Sequence, residues 1–564
     1  MRPHLFGTLA LSGLVSCSSG RVVQDTPSTG MELDDSDRVY DTSHLMQVEI
    51  VIDPDDWDRL RNETRTLADT LAAETCGEEP FESPFEWYAA SVTVDGELFD
   101  RVEVRKKGFL GSMNEDKPSL KIDLGEFDDT ATLHGVRRLT LNNAVSDPSL
   151  LRQCLAYAAF ADAGVPASRC SMASVRVNGE DKGVFVNIEP IKEPFLLRHF
   201  GDDSGNLYEG TLSDFRDGWT GTFEEKTNED VADSSDIDAV VQALAADDED
   251  LLDAVDAVVD LDAFLTFWAM EVLTLHVDGY AWNTNNFYLY ADPADGRFHF
   301  IPWGVDAAFY VSEPGQGAPP ETVYAFGGLA HRLYAHPEGR QRYLERLDAL
   351  LAGSWDEQAH AARIDQLRET IQPALDASEA EVVDDAIGVL EVLLAERRGV
   401  VMREREGGAQ DWELGEKQTF CMQSYGALSA SFETTWGSVN EQDAFSYGES
   451  SIDVVYDEQA WPTLEGAAVA GPIDDGLAVL YLPVWTSDTE AWLAYAAFPE
   501  EQAVPGEIEL DLGTATGALY YYNAELGDEW QLATYLMGTL TLDEAGPDHG
   551  DVLVGTVEGE LMSW

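Results

Sequence analysis

Basic residues are scarce in this chain. Lysine and arginine together number 34, against 106 aspartate and glutamate residues among 564, which gives a formal net charge of −72. A surface of that sign repels nucleic acid and anionic lipid headgroups, so non-specific binding to either is not expected. The acidic excess is spread along the chain, as in a halophilic protein whose self-repulsion is screened by high external salt. A surface that binds calcium or polycations is the alternative.

Long hydrophobic runs and cysteines are scarce as well. No stretch reaches the roughly 20 apolar residues that a membrane-spanning helix needs. The 44% of hydrophobic residues instead supply the cores of several soluble-type domains. The five cysteines include no Cys-x-x-Cys spacing, so a thiolate metal site is not expected. In an exported protein, Cys154 and Cys170 would close a short loop between a helix and the next strand.

Residues 1–17 have the pattern of an export signal. Arg2 supplies the positive charge, residues 5–15 form a short apolar core, and small residues precede Cys17. The run LVSC at residues 14–17 resembles a lipobox, which implies a lipoprotein anchored in the cell envelope through lipidated Cys17, on the periplasmic or outer-surface face. An ordinary signal peptide with a chance cysteine is the alternative. Residues 18–44, rich in Ser, Thr, Asp and Gly, are predicted to form a flexible linker.

Alternating strand patterns begin at Leu45 and include residues 46–52, 87–94 and 98–104. The last of these leads into Arg105, Lys106 and Lys107 beside Gly108, a basic run that is unusual in so acidic a chain. Basic side chains and a glycine loop are suited to holding a polyphosphate. A solvated strand end is the alternative.

The strand predicted at residues 119–124 adds two candidate phosphate ligands. Period-two alternation puts Lys121 and Asp123 on the face opposite the apolar residues, and Lys117 comes just before the strand. A surface lysine on an edge strand is the alternative reading of both. Asp147 is predicted to cap a helix that starts at Pro148, and Asp262 is predicted to cap another that starts at Ala263.

The stretch HVDGYAWNTNNFYLYADPADGRFHFIPWGVD, residues 276–306, is predicted to form a β-hairpin flanked by acidic and amide residues. A hairpin brings its outer ends together, so Asp278 and Asp306 are expected to face one small volume. Carboxylate and amide oxygens are ligands that Mg²⁺ prefers, with phosphates completing its shell. Aspartate and asparagine that merely cap turns are the alternative.

The C-terminal third changes character. Helical patterns end near residue 406, and short alternating strands recur from about residue 428 to residue 561. This spacing predicts an all-β, sandwich-like domain over residues 409–564. No set of convergent His, Cys or acidic residues marks it as catalytic, so a recognition or packing role is expected.

Several motifs in order resemble the spore coat protein H (CotH) kinase family, which is similar to atypical protein kinases. They are VEVRKKGFLGS, KPSLKIDL, LTLNNAVSDPSLLRQCLAYAAFADAGVPASRC, VRVNGEDKGVFVNIEPIKEPFL, GNLYEG, FEEKTNED and DGYAWNTNNFYLY with FHFIPWGVD. The resemblance implies an α+β, two-lobed kinase-like domain over residues 45–408. It also implies phosphate transfer from ATP, with Mg²⁺, to Ser or Thr of a surface or secreted protein.

The resemblance also implies roles for single residues. Asp278 corresponds to the catalytic aspartate, since residues 276–283 fit the spacing H-x-D-x-x-x-x-N. The implied Mg²⁺ ligands are Asn283 or Asn286, with Asp306. The implied nucleotide contacts are Arg105, Lys107, Lys117 or Lys121, and the hinge at Glu189.

One departure leaves two functions open. The family commonly shows Trp-Asp-x-Asp after the hairpin, whereas Trp303-Gly304-Val305-Asp306 keeps only the second acid. An active kinase that relies on Asp306 is one hypothesis. A catalytically degenerate envelope protein that binds or scaffolds partners is the other, and transfer to a non-protein acceptor such as a glycan is a third.

Overall fold

The structure is a computed structural model that describes residues 35–72, 75–231, 234–310, 319–441, 446–461, 463–473, 476–513, 515–524 and 530–564. The predicted export signal and Cys17 lie outside these residues. Within the described ranges, no helix is both long enough and apolar enough to cross a membrane.

A closed barrel with flanking helices forms the first part of the chain. Its elements are β1 (Leu45–Ile52), α1 (Pro54–Asn62), α2 (Leu67–Leu71), β2 (Tyr88–Val94), β3 (Glu97–Lys107), β4 (Ser119–Asp123), β5 (Arg138–Asn142), α3 (Arg152–Asp162), β6 (Cys170–Val177), β7 (Glu180–Ile188) and α4 (Glu193–Phe200). The strands follow the order β1-β2-β3-β4-β5-β7-β6, and the barrel closes through a parallel β6–β1 pair.

Strand alternation divides the basic run of β3 between two faces. Val102, Val104 and Lys106 alternate inward and are buried, and the Lys106 ammonium donates hydrogen bonds to backbone carbonyls of residues 61 and 63. Arg105 and Lys107 therefore project from the opposite face. Only two of the three consecutive basic residues are available to a ligand on that side.

A mostly helical part follows the barrel. Its elements are β8 (Leu207–Gly210), β9 (Phe223–Glu225), α5 (Ser235–Leu244), α6 (Leu251–Asp256), α7 (Leu261–Leu273), α8 (Tyr280–Asn283), β10 (Phe287–Asp292), β11 (Arg297–Pro302), α9 (Gly328–Ala335), α10 (Pro337–Ala352), α11 (Glu357–Ile371) and α12 (Ala377–Glu406). The four strands form a sheet in the order β11-β10-β8-β9. The predicted hairpin is confirmed as β10 and β11, with Phe287 opposite Pro302. Helix α7 is buried on nearly every face and lies at the centre of the core.

Two predicted helix starts are wrong. Helix α3 begins at Arg152 because Leu150 adopts a left-handed φ of 63°, which interrupts the helix predicted from Pro148. Asp147 still holds this end, since its carboxylate accepts the Arg152 N–H at 2.8 Å. Helix α7 is capped by Asp260, whose carboxylate accepts the N–H of residue 263 at 2.9 Å, and Asp262 falls in the first turn.

The end of the predicted linker packs against the barrel. Val39 and Tyr40 are buried in the barrel core, and the Val39 carbonyl accepts hydrogen bonds from Ser171 and Asn187. Two apolar side chains among the polar residues are enough to fix this segment. The ordered part of the chain therefore begins before Leu45.

The C-terminal region is all-β, as predicted. Its strands are β12 (Gln423–Thr435), β13 (Glu449–Tyr456), β14 (Gln459–Ala460), β15 (Leu464–Ala467), β16 (Val469–Pro472), β17 (Leu477–Trp485), β18 (Glu490–Pro499), β19 (Gly506–Leu510), β20 (Thr516–Asn523), β21 (Gln531–Glu544) and β22 (Val552–Ser563). Among the described residues they form one connected sheet with antiparallel strand pairs around a separate apolar core.

The residues between α12 and β12 attach this region to the rest of the protein. A disulfide joins Cys421 to Cys76, and the Met422 N–H donates to the Leu71 carbonyl at 2.7 Å. Phe420 packs edge-on against Trp219 at 4.5 Å between ring centroids. A second disulfide, Cys154–Cys170, confirms the predicted pair. Disulfides persist in oxidising compartments outside the cytoplasm, so both bonds indicate an extracytoplasmic protein.

Candidate active site

A polar cleft of about 510 Å³ lies between the barrel and the helical part. The barrel contributes residues of β3, β4 and β5, and the helical part contributes the segments on either side of the β10–β11 hairpin. Asp278 and Asp306 both line the cleft, as the hairpin geometry predicted. The predicted ligands Arg105, Lys107 and Lys121 line it from the barrel side.

Asp278 is held by amide groups from the segment that follows it. Asn283 and Asn285 donate to Oδ1 at 2.6 and 3.1 Å, and Asn286 donates to Oδ2 at 2.6 Å and to the main-chain carbonyl at 3.1 Å. Burial raises the pKa of Asp278 above its ordinary value, although these amides and the charge of Lys417 oppose the rise. The side chain is therefore fixed in position and more basic than a solvated aspartate.

Buried Glu271 organises the loop that carries Asp278. Its carboxyl oxygens accept the N–H groups of Tyr280 and Ala281, each at 2.8 Å, at the first turn of α8. Burial raises the pKa of Glu271 to about 8. Gly279 permits this approach, since a β-carbon there would lie 2.2 Å from Glu271 Oε1. Asp214 supports the loop from below by accepting the Tyr280 hydroxyl at 2.9 Å.

Lys417 reaches this loop from the segment that leads into the β region. Its ammonium donates to Asn283 Oδ1 at 2.5 Å and to the Asn283 carbonyl at 3.2 Å. Burial lowers the pKa of Lys417 to about 8, while Asp278 acts in the opposite direction. The Lys417 main chain is fixed as well, since its N–H donates to the Phe326 carbonyl at 3.0 Å and its carbonyl accepts from Arg216 at 2.8 Å.

Asp306 lies across the cleft in a short 3₁₀ turn after β11. Burial raises its pKa; the charge of Lys107 opposes the rise, and the charge of Asp278 adds to it. Two carboxylates that influence each other in one cleft, with amide oxygens beside them, are a donor set that fits Mg²⁺. Asp306 and Asn286 are the residues that would hold the ion, beside Asp278.

Gly304 is required by the position of Asn286. The glycine has a φ of 50°, and a β-carbon there would lie 2.2 Å from Asn286 Oδ1. The Asn286 amide therefore occupies the space into which an acidic side chain at residue 304 would project. The missing carboxylate and the Asp278–Asn286 hydrogen bond are two consequences of one local arrangement.

The barrel wall of the cleft is positively charged and largely buried. Burial lowers the pKa of Lys107 to about 8 and that of Lys121 to about 7. Lys107 donates a hydrogen bond to Asn142 and is attracted by Asp306, whereas Lys121 is attracted by Glu209. Buried cations with few anionic partners attract an anionic ligand strongly, because the ligand offsets their desolvation.

On the helical side of the cleft, an ion pair balances part of this charge. Lys226 contacts Glu209 at 2.8 Å and Glu224 at 2.6 Å. Glu209 also accepts a hydrogen bond from Tyr288, and the charges of Lys226 and Lys121 lower its pKa despite its burial. Glu209 thus links the basic barrel wall to the sheet of the helical part.

Two predicted nucleotide contacts lie elsewhere. The Lys117 ammonium donates to the Val184 carbonyl at 2.8 Å and lies 5.0 Å from the Phe185 ring centroid, outside the cleft lining. Glu189 is 3% exposed and its carboxylate binds Arg169 at 2.7 Å and also Arg198. Its side chain is therefore committed to a buried ion triad, and only its neighbour Ile188 lines the cleft.

Sequence reasoning missed Glu271, Lys417, Glu209 and Lys226. Glu271 has a recognisable signal, because it is the one acid beyond the first turn of the largely apolar helix LDAFLTFWAMEVL. Lys417 has none, since it contacts a residue 134 positions earlier. The Glu209–Lys226 pair stands in GNLYEG and FEEK, two motifs that the resemblance includes without a role.

The comparisons with known proteins agree with this geometry. A family model described as CotH kinase protein matches residues 104–384. The inner spore coat protein H of Bacillus subtilis (strain 168) is 26% identical over 257 residues, which cover 43% of this chain and 70% of that protein. An inner spore coat protein H-like protein of the same organism is 43% identical over 70 residues, covering 12% of this chain and 22% of that protein.

Two solved structures show a more distant likeness. One is the HipA–HipB toxin–antitoxin complex with operator DNA of Shewanella oneidensis MR-1, with a TM-score of 0.27 and 14% identity over 48% of this chain and 60% of that one. The other is the Helicobacter pylori proinflammatory kinase CtkA, with a TM-score of 0.26 and 11% identity over 59% of this chain and 96% of that one. On the family match and the ordered motifs, the chain belongs to the CotH kinase family, with a mixed α/β, kinase-like region followed by an antiparallel β region.

Proposed function

We propose that this protein is an active extracytoplasmic protein kinase that transfers phosphate from ATP to Ser or Thr hydroxyls of a surface or secreted protein. The family implies a phosphotransferase that uses ATP. The observation that carries the proposal is the placement of Asp278. Its carboxylate is fixed by three amides and faces Asp306 and a basic wall in one cleft.

Each part of the cleft has a task in phosphoryl transfer. The reaction needs positioned reactants, a carboxylate that accepts the proton of the attacking hydroxyl, and positive charge around the phosphates. Asp278, with its raised pKa, is placed to accept that proton. Arg105, Lys107 and Lys121 bind the phosphates from the barrel side, and their burial excludes water from the ligand.

Mg²⁺, held by Asp306 and Asn286, would neutralise charge on the phosphates. Asn283 serves a different purpose, because both its amide nitrogen and its oxygen are occupied by Asp278 and Lys417. Asn283 links Lys417 to the Asp278 carboxylate through a hydrogen bond to each. We therefore assign Asn283 to positioning, and we assign metal binding to Asp306 and Asn286.

The location outside the cytoplasm is part of the proposal. Residues 1–17 supply the export signal, Cys17 the lipid anchor, and the folded part carries two disulfides of the kind found in oxidising compartments. The acidic surface suits a halophilic setting. The protein would be held at the membrane through its N-terminus alone.

Calorimetric titration of ATP into the purified protein, in high salt with Mg²⁺ or with EDTA, tests this function. We expect Mg²⁺-dependent binding that Asp306→Ala weakens about tenfold or more, since the variant removes a metal ligand. Asp100→Ala, an exposed carboxylate on β3, is the control and is expected to bind like the natural protein. Absence of ATP binding in the natural protein refutes the kinase proposal.

A non-catalytic binding protein is the second candidate, and Gly304 is the observation that favours it. The family pattern has an acid at this position, and its loss removes one potential metal ligand. ATP binding that is the same with Mg²⁺ and with EDTA, together with no phosphate transfer to casein, would support this candidate.

A further inference from the structure

A second cavity also meets Asp278. It measures about 450 Å³, and Asp278, Asn285 and Phe109 line both this groove and the basic cleft. In phosphoryl transfer the acceptor hydroxyl contacts the catalytic carboxylate and attacks the phosphoryl group in line with the leaving oxygen. A cavity that shares the carboxylate with the phosphate cleft is therefore placed to receive the acceptor.

The groove is apolar on both walls. Leu71 and Leu110 come from the barrel side, while Phe420 and the terminal Trp564 come from the segments that flank the β region. Trp564 is 47% exposed, its indole N–H donates to the Phe420 carbonyl at 3.1 Å, and its ring packs edge-on against Tyr535 at 5.4 Å. The tryptophan is thus held in place while one part of it remains open to a ligand.

The charge of the groove limits what it can recognise. Asp278 is the only carboxylate among its described lining residues, and Lys417 is the only cation. Recognition of arginine or lysine beside the acceptor needs further carboxylates, and recognition of acidic residues needs further cations. The uncharged polar residues of the lining, Asn283, Asn285 and Thr419, hydrogen-bond within the protein, so apolar burial is the interaction that remains.

We propose that this groove is the acceptor subsite and that it selects a protein segment in which a bulky apolar residue lies close to the phosphorylated Ser or Thr. The inference rests on the proposed kinase function. Because Phe420 and Trp564 flank the β region, the C-terminal region takes part in substrate selection together with the barrel side. The disulfide Cys76–Cys421 and the Met422–Leu71 hydrogen bond fix this wall against the barrel part.

Two labelled decapeptides test the proposal by fluorescence anisotropy with the full protein in high salt. Both carry a central serine among glycines, and one of them has a phenylalanine two positions from the serine. We expect the phenylalanine peptide to bind at least about tenfold more tightly, as burial of an aromatic side chain predicts. Trp564→Ala should abolish the difference.

Trp485→Ala is the matched control. Trp485 is 60% exposed in the same β region and packs edge-on against Tyr522 at 5.7 Å, but it does not line the groove. Leu110→Ala, from the other wall, should also reduce the preference, and it keeps the test valid if the Trp564 variant folds poorly. Equal binding of both peptides, or an equal effect of Trp485→Ala, overturns the groove proposal.

The two proposals fail in different ways. Phosphate transfer to serine peptides without an apolar preference leaves the kinase function standing and refutes the acceptor groove. Selective binding of the phenylalanine peptide without ATP binding refutes the kinase function, and the groove is then a peptide-binding site.

Discussion

Gly304→Ala tests whether the fold requires glycine at this position or tolerates a larger side chain there. The substitution places a methyl group where the nearest atom is Asn286 Oδ1, at 2.2 Å from the ideal β-carbon position. Asn286 can move aside only by giving up its hydrogen bonds to Oδ2 and the carbonyl of Asp278. The cost of the change should therefore depend on the Asn286 side chain.

The magnitude follows from two contributions. A left-handed φ of 50° costs a non-glycine residue about 1–2 kcal/mol. Loss of a hydrogen bond to a charged group costs about 1.5–3 kcal/mol. We expect Gly304→Ala to lower the free energy of unfolding by about 2.5–5 kcal/mol in the natural protein, but only by about 1–2 kcal/mol when Asn286 is already alanine.

A double-mutant cycle measures this difference. Urea unfolding followed by tryptophan fluorescence compares the natural protein, Gly304→Ala, Asn286→Ala and the double variant, and the coupling between the two sites is expected to be about 1.5–3 kcal/mol. Additive effects would refute the claim that Asn286 occupies the space beside Gly304. Restoring the family's acid by Gly304→Asp meets the same collision, so it should destabilise the protein too.

Three further predictions concern charge and cross-linking. Burial lowers the pKa of Lys121 to about 7, and bound phosphate raises it again. ATP affinity should therefore fall as the pH rises above 7, and ATP binding should be accompanied by uptake of a proton. Calorimetry in buffers of different ionisation enthalpy detects this uptake, and a pH-independent affinity would contradict the prediction. Cys421→Ser should reduce phosphate transfer by releasing Lys417, whereas Cys154→Ser should lower thermal stability without that selective effect. Burial raises the pKa of Glu271 to about 8, above its value in the unfolded chain, so the stabilisation by its protonated carboxyl is lost as the pH rises from about 4.5 to 8. The free energy of urea unfolding should therefore depend less on pH in Glu271→Gln than in the natural protein. An unchanged pH dependence would argue against the buried protonated carboxyl.

Local patterns predicted much of the site. Turn residues between two strand-like runs predicted the β10–β11 hairpin. The H-x-D-x-x-x-x-N spacing singled out Asp278 and Asn283, but it implied Mg²⁺ binding by Asn283 and not the hydrogen bond that Asn283 donates to Asp278. Alternation along β4 placed Lys121 on the face that proves to line the cleft. Each of these inferences depends on residues within one element or one turn, where the geometry of the chain is fixed.

Contacts between distant segments were beyond such reasoning. The direction of Lys117 is decided by the Val184 carbonyl, 67 residues away, and Glu189 is drawn to Arg169 and Arg198 by the need to neutralise a buried carboxylate. Leu150 illustrates a second limit. Its left-handed backbone displaces the start of α3, and no residue type in the sequence signals it.

The rate of phosphate transfer by Asp278→Asn tests the central claim most directly. Asparagine keeps the size of the side chain but cannot accept the hydroxyl proton, so with casein as acceptor we expect the rate to fall by about 10²-fold or more. The dissociation constant for Mg²⁺-ATP should change by no more than about threefold, because the phosphate ligands on the barrel are untouched. Asp100→Asn is the matched control and should behave like the natural protein. Transfer by Asp278→Asn at the natural rate would contradict the assignment of Asp278 as the catalytic carboxylate.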